Sequence, residues 1–230
     1  MTTQTTTATA GNATRNRTFT ATSTDGQWNN IVSSLSSQAI GLELPGITIN
    51  SINLMYAAGV AIARIIDGKT LKVKSHVLGN KTGFSCQSES MIRPVILGSS
   101  DLLQVYPRAV NSTSNDSEVL GIVKTTGGNL PFECTTTSDN SATELKELNT
   151  AQGLGDVFFG STVTELEFQA EDSATFNSIT IVDQQGGTVG QWYGTVRAAA
   201  GSKSNIFNIK VNTKIPVQKG WKLYAYVTSG

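Results

Sequence analysis

From Trp28 onward, apolar and polar residues alternate along most of the chain with a period of two. Leu71, Val73 and Val77 point one way while Lys72, Lys74 and His76 point the other. Leu166 and Phe168 alternate with Glu165 and Glu167, and Phe207, Ile209 and Val211 with Asn208 and Lys210. Trp221, Leu223, Ala225 and Val227 alternate with Lys222, Tyr224 and Tyr226. Such alternation predicts antiparallel strands with one buried face. Further strands are predicted over 47–55, 60–66, 91–97, 101–106, 118–124, 156–159, 175–182 and 188–197. Turn signals separate them: Asp67-Gly68, Gly98-Ser99, Gly127-Gly128 and Gln185-Gly186-Gly187. Many short strands punctuated in this way predict an all-β fold, an antiparallel β-sandwich or jelly-roll-like body.

Helical signal is scarce, enough for at most one or two short helices. Ser141 and Glu144 form a capping box ahead of Leu145 and Leu148, which predicts two turns over 142–149. Ile31, Val32 and Leu35 stand at helical spacing within 28–38, in a Ser- and Asn-rich stretch of low helix propensity. No internal repeat is visible. Residues 1–27 are a tract of Thr, Ala, Asn and Ser with Arg15, Arg17 and one aromatic, Phe19. Their β-branched content favours extended structure, and alone they bury too little to fold. The expected organisation is an extended N-terminal arm over 1–27 and an antiparallel β body over 28–230. The segment 135–155 is either a break between two lobes or a long connection. If the arm orders only against a neighbouring subunit, removing 1–27 weakens assembly and leaves the body folded.

Charge changes this picture more than length does. The 230 residues carry 17 basic and 17 acidic side chains, and charged residues make up 15% of the chain, against about 25% in a typical soluble protein. Thr, Ser and Asn fill the gap. The balance argues against a generic nucleic-acid binder, and direct nucleic-acid contact is not expected. It is also too low in net charge for a disordered chain. Neutrality hides an order: 133–183 is acidic apart from Lys146, and 184–230 contains basic residues and no acid. Glu165, Glu167, Lys210 and Lys222 fall on outward strand faces. They form either oppositely charged contact surfaces between identical copies or cross-strand pairs within one sheet.

Candidate chemistry is thin. Residues 63–70 miss a phosphate-binding loop by one glycine and suit a hairpin turn better. His76 is the one histidine and is expected to face solvent. No Gly-x-Ser-x-Gly elbow accompanies it, and a pairing with Cys86 is weakly motivated. Cys86 and Cys134 read as small buried residues or as one bridge. Glu165 and Glu167 share a strand face, as countless solvated carboxylates do. Glu171, Asp172 and Asp183 lack the dense loop of a calcium site. No enzyme activity, metal or cofactor is expected. Residues Met1 to Ala10 contain no apolar run that suggests a signal peptide. The apolar run 54–63 is too short to span a bilayer, so no membrane partner is expected. Trp221 falls with the core residues. Tyr224 and Tyr226 share the opposite face with Lys222, and that face is the best candidate for binding or subunit contact.

The Thr-rich arm, the antiparallel body, the low charge and a last strand led by Ile215-Pro216-Val217-Gln218-Lys219-Gly220-Trp221 together resemble virion structural proteins of bacterial viruses. The likeness is to β-rich shell, head-decoration (cement) or fibre proteins, and it is one of style over the whole chain. It implies a non-enzymatic capsid component located in the virion, contacting capsid neighbours or identical subunits, with a trimer among the expected homo-oligomers. The contact residues implied are Arg15, Arg17, Phe19, Glu165, Glu167, Lys210, Lys222, Tyr224 and Tyr226. Arms that bind packaged RNA are often strongly basic, and this one holds only Arg15 and Arg17. The alternative is a receptor- or carbohydrate-binding β-sandwich module using the Tyr224/Tyr226 face.

Overall fold

The computed structural model describes residues 3–12, 14–24, 26–55, 60–78, 90–108, 117–136, 141–170, 174–193 and 207–229. The chain is all-β and antiparallel, and it divides into two compact units, Met1–Ala109 and Val110–Gly230. Unit 1 contains β1 (Thr3–Gly11), β2 (Asn16–Thr24), β3 (Asn29–Ser33), α1 (Ile40–Glu43), β4 (Thr48–Met55), β5 (Val60–Asp67), β6 (Val73–Leu78), β7 (Ser90–Ile96) and β8 (Asp101–Arg108). Unit 2 contains β9 (Ser117–Thr125), β10 (Gly128–Thr136), β11 (Ser141–Glu147), α2 (Leu154–Val157), β12 (Thr162–Ala170), β13 (Ala174–Val182), β14 (Thr188–Tyr193), β15 (Phe207–Pro216) and β16 (Lys222–Ser229).

The two units repeat one topology. Strand order in unit 1 is β6-β5-β8-β3-β2-β1-β4-β7, and in unit 2 it is β14-β13-β16-β11-β10-β9-β12-β15. Each begins as a Greek key: three hairpin-linked strands, then a fourth that returns beside the first. In unit 1 the outermost strands β6 and β7 approach each other, curling the sheet into a near-barrel. The details repeat as well. Ile40, Gly41, Leu44, Gly46 and Thr48 have counterparts in Leu154, Gly155, Phe158, Gly160 and Thr162. A methyl on Gly41 would strike the backbone of Gly98 and Asp101, and one on Gly155 would strike that of Gln218, Gly220 and Trp221. Gly46 and Gly160 both take left-handed φ, 71° and 80°. The amides of Gly46 and Gly160 donate to the carbonyls of Leu97 and Val217.

Cores follow from strand alternation. In unit 1, Ala8, Ala10, Phe19, Ile31, Leu54, Ala63, Ile65, Leu103 and Val105 are buried. Ile40 and Leu44 of α1 join them. In unit 2, Val123, Phe132, Leu145, Leu166, Phe168, Ile179, Ile181, Leu223 and Ala225 form the core, and Leu154 and Phe158 beside α2 complete it. Cys134 is a buried free thiol.

The Thr-rich segment 1–27 is extended, as its composition predicts, but it does not stand apart from the body. β1 lies between β2 and β4, and β2 between β1 and β3, so both are central strands. Thr6, Ala8 and Ala10 point inward opposite the buried Phe19, while Thr7 and Thr9 face out. Phe19 is therefore a core residue rather than a contact residue. Cutting at residue 27 would remove two central strands of unit 1. The division between units falls at 109/110, and 135–155 runs inside unit 2.

Three local expectations are corrected. Residues 141–147 are strand β11, where pairing of 141–145 with β16 and of Lys146 and Glu147 with β10 overrides a two-turn helical pattern. Residues 29–33 are strand β3, ended by a turn. Residues 156–159 complete α2 and its turn rather than forming a strand.

Candidate functional site

The residues richest in chemistry lie on one outer face of each near-barrel, across the four strands on one side of the sheet. In unit 1, hairpin register sets Arg64 opposite His76 and, on its other side, opposite Gln104, while Gln104 stands opposite Asn30. These four polar residues form a transverse row. Gln104 Nε2 donates to Asn30 Oδ1 at 2.8 Å, and Arg64 Nε donates to Gln104 Oε1 at 2.7 Å. The Arg64 guanidinium lies 3.8 Å from the Trp28 ring centroid. Trp28 also meets Tyr106 and His76, at centroid distances of 5.5 and 6.3 Å. His76 is thus not the solvent-facing side chain that alternation predicts. Its Nε2 is buried without a hydrogen-bond partner. Burial first, and the Arg64 charge second, lower its pKa to about 4, so it is neutral at pH 7.

The same row in unit 2 reads Gln191, Thr180, Tyr224 and Glu144. Tyr226 occupies the place of Tyr106, and Ala142 that of Trp28. Lys222 Nζ lies 3.4 Å from Glu144 Oε2. The Glu144 carboxylate, with Tyr224 beside it, holds the Lys222 ammonium above its usual pKa. Tyr193 donates to Gln191 Oε1 at 3.2 Å, and Gln191 Nε2 to Ser178 Oγ at 3.4 Å. Thr180 Oγ1 is buried without a partner. Tyr224 and Tyr226 are half-buried among these groups.

The remaining candidates lie elsewhere. Glu165 and Glu167 on β12 converge on Lys124 of β9, at 3.2 and 3.1 Å. That is cross-strand pairing, with Lys124 as a partner that the sequence reading missed. Lys210 stands opposite Glu167 in register, and its side chain lies outside the described residues. Arg15 is exposed in the β1–β2 turn, where its Nη2 donates to the Glu43 carbonyl at 3.4 Å. Arg17 Nε lies 3.8 Å from Glu43 Oε2. The structure therefore distributes the nine predicted contact residues over both units: Arg15 and Arg17 near Glu43, Glu165, Glu167 and Lys210 on neighbouring strands β12 and β15, and Lys222, Tyr224 and Tyr226 on the face described above.

Residues 63–70 end β5 and open the hairpin to β6. Asp67 Oδ1 accepts from the amides of Lys69 and Thr70, which holds its carboxyl below the usual range. Asp183 Oδ1 closes the matching hairpin of unit 2 by accepting from the amides of Gln185 and Gly187. Glu171, Asp172 and Cys86 lie outside the described residues. Burial, with the Glu118 and Glu133 carboxylates, pushes the Cys134 thiol far up, so it is a poor nucleophile. Among the described residues, no three His, Cys, Asp or Glu side chains cluster as a metal site, and no helix is long and apolar enough to cross a membrane. Each face presents aromatic rings flanked by hydrogen-bonding groups on a sheet. No family model, curated protein or solved structure matches the chain.

Proposed function

We propose that the chain is a non-enzymatic structural protein of a virus particle, a shell or capsid-stabilising component located in the virion. The observation that supports this best is the duplication of one Greek-key near-barrel within the chain. Each strand face occurs twice in backbone outline, so one chain supplies two related contact surfaces with different side chains, and repeated contacts are what symmetric assemblies are built from. Pairing of Glu165 and Glu167 with Lys124, and of Glu144 with Lys222, leaves outward faces of low net charge, which tolerate close neighbours. The test is light scattering and electron microscopy of the purified full chain over a concentration series. A trimer or larger closed assembly, or uptake onto preformed shells, is expected. A chain that stays monomeric and joins no shell would overturn the reading.

A second reading, a carbohydrate-binding module, is favoured by Tyr224 and Tyr226 standing beside Glu144, Gln191 and the unpartnered Thr180 hydroxyl. A glycan array probed with the wild type and with Tyr224→Ala/Tyr226→Ala decides it. Sugar binding lost in the double variant supports this reading, and no sugar binding by the wild type excludes it.

A further inference from the structure

The second barrel serves as an internal control for the first, because it shows which surface residues the fold itself requires. Among the described residues of unit 1, the large hydrophobics left exposed are Leu35 at 82%, Leu42 at 55%, Leu71 at 69% and Ile96 at 69%. Single exposed leucines are ordinary, but these four share one end of the near-barrel. Leu35 sits in the β3–α1 turn, Leu42 in α1, Leu71 in the β5–β6 turn and Ile96 at the close of β7. The loops of this end are tied together. The Gly68 amide donates to the Ser100 carbonyl, Gly41 lies against Gly98, Ser36 Oγ meets the Glu43 carboxylate, and Asn12 Nδ2 donates to the Thr48 carbonyl.

In unit 2 the topologically equivalent positions hold Asn149, Asp156, Gly186 and Pro216, although that end also exposes Phe159 at 63%. At these four positions the fold has no need of aliphatic side chains. Leu71 is the sharpest case. It takes a left-handed φ of 58°, and in the hairpin of unit 2, one residue shorter, the residue whose amide returns to the opening aspartate is Gly186, with φ 85°. A leucine in that conformation is strained, and it is displayed to water as well. Two unfavourable choices at one residue point to an interaction that the isolated unit does not show.

Cations outnumber acids at this end. Lys69 and Lys72 flank Leu71 and are exposed, and Arg15 is exposed in the neighbouring turn. The acids of the same end are engaged. Glu43 pairs with Arg17, Asp101 is buried against Lys74 at 2.6 Å, and Asp67 caps its own turn. What faces outward is a set of aliphatic tips on three separate stretches of the chain, ringed by cations.

We propose that this end of unit 1 docks on an anionic lipid surface, with Leu35, Leu42, Leu71 and Ile96 entering the headgroup boundary and Arg15, Lys69 and Lys72 meeting lipid phosphates. Shallow insertion of apolar side chains combined with cation–headgroup attraction is the chemistry of peripheral membrane attachment, and it needs no spanning segment. The inference does not depend on the proposed virion role.

The test is co-sedimentation of the full chain with vesicles of phosphatidylcholine alone and of phosphatidylcholine mixed with phosphatidylglycerol. The chain is expected to pellet with the mixed vesicles and to remain in solution with phosphatidylcholine alone. The variant Leu35→Asn/Leu71→Gly installs the unit 2 residues, so its thermal transition should not fall, while its vesicle affinity drops about tenfold or more. A second variant, Lys69→Gln/Lys72→Gln, should weaken binding and flatten its salt dependence. Failure of the wild type to pellet with mixed vesicles would overturn the proposal. So would unchanged binding by the Leu35/Leu71 variant. Full release by soluble glycerol phosphate would also overturn it, since that would mark a small-anion site. Loss of self-association rather than of vesicle binding in the variant would mark a second copy of this chain as the occupant instead.

Discussion

Gly121 shows how the two cores were fitted by compensating changes. It stands in register between Phe132 and Phe168, and a methyl there would fall on the Phe168 ring. The same place in unit 1 holds Ala8, between Phe19 and Leu54. A smaller neighbour on β4 leaves room for the extra carbon. Gly121→Ala should therefore destabilise unit 2 by about 1–3 kcal/mol through overpacking. Adding Phe168→Leu recreates the unit 1 arrangement and should recover part of that loss, as read by calorimetry. His76 makes a second prediction at this scale. Its folded pKa of about 4 lies below the 6.5 of an exposed imidazole. The stabilisation from burying it neutral is full above pH 6.5 and is lost as pH falls toward 4, by up to about 3 kcal/mol. His76→Gln, which copies Gln191, should flatten the pH dependence of unit 1 unfolding over that window.

Turns carry the repeat at the scale of elements. Residues 33–38, 67–72 and 147–152 close in the same way. The first amide donates to the last carbonyl, the fifth amide donates back to the first carbonyl, and the fifth residue, Ser37, Leu71 or Ala151, has φ between 56° and 59°. The opening side chain caps each turn. Ser33 Oγ accepts from the Leu35 amide, Asp67 Oδ1 from Lys69 and Thr70, and Glu147 from Asn149 and Thr150. Glu147 is buried and also accepts from Asn149 Nδ2 and Thr150 Oγ1. Glu147→Ala should cost about 1–3 kcal/mol, because the turn amides lose a charged acceptor, and Glu147→Ser should cost less. Denaturant titration of unit 2 checks both. Hairpins such as 60–78 were legible in the sequence, since Asp67-Gly68 sits between two apolar runs. Strand β11 was not. Its capping box and its Leu145/Leu148 spacing are locally helical, and only pairing with β16, far along the chain, makes it a strand.

Over the whole molecule, the β class was legible because alternation survives in both halves. The duplication was not, because identical pairs such as Phe19 and Phe132, Gly41 and Gly155, Ile65 and Ile181, and Leu103 and Leu223 are scattered at uneven offsets, and most other positions differ. The first hairpin was hidden for a related reason. Its inward positions are Thr6, Ala8 and Ala10, so the buried side of β1 scarcely differs in hydropathy from its threonine face. The candidate site was legible in part. Alternation placed Tyr224, Tyr226 and Lys222 on one face, but the matching Trp28–Arg64–His76–Gln104 face draws on four strands and becomes visible only with the register. The aliphatic end of unit 1 was invisible for the same reason, since its four residues come from three separate stretches of the chain.

The central claim is that one chain holds two autonomous copies of a single Greek-key near-barrel. Its most direct test is the amide ¹H–¹⁵N spectrum of residues 110–230 expressed alone, compared with that of the full chain. A dispersed spectrum is expected, with the resonances for β9 to β16 coinciding with those of the full protein. A collapsed spectrum typical of an unfolded chain, or dispersed peaks that match none of the full-length resonances, would contradict it.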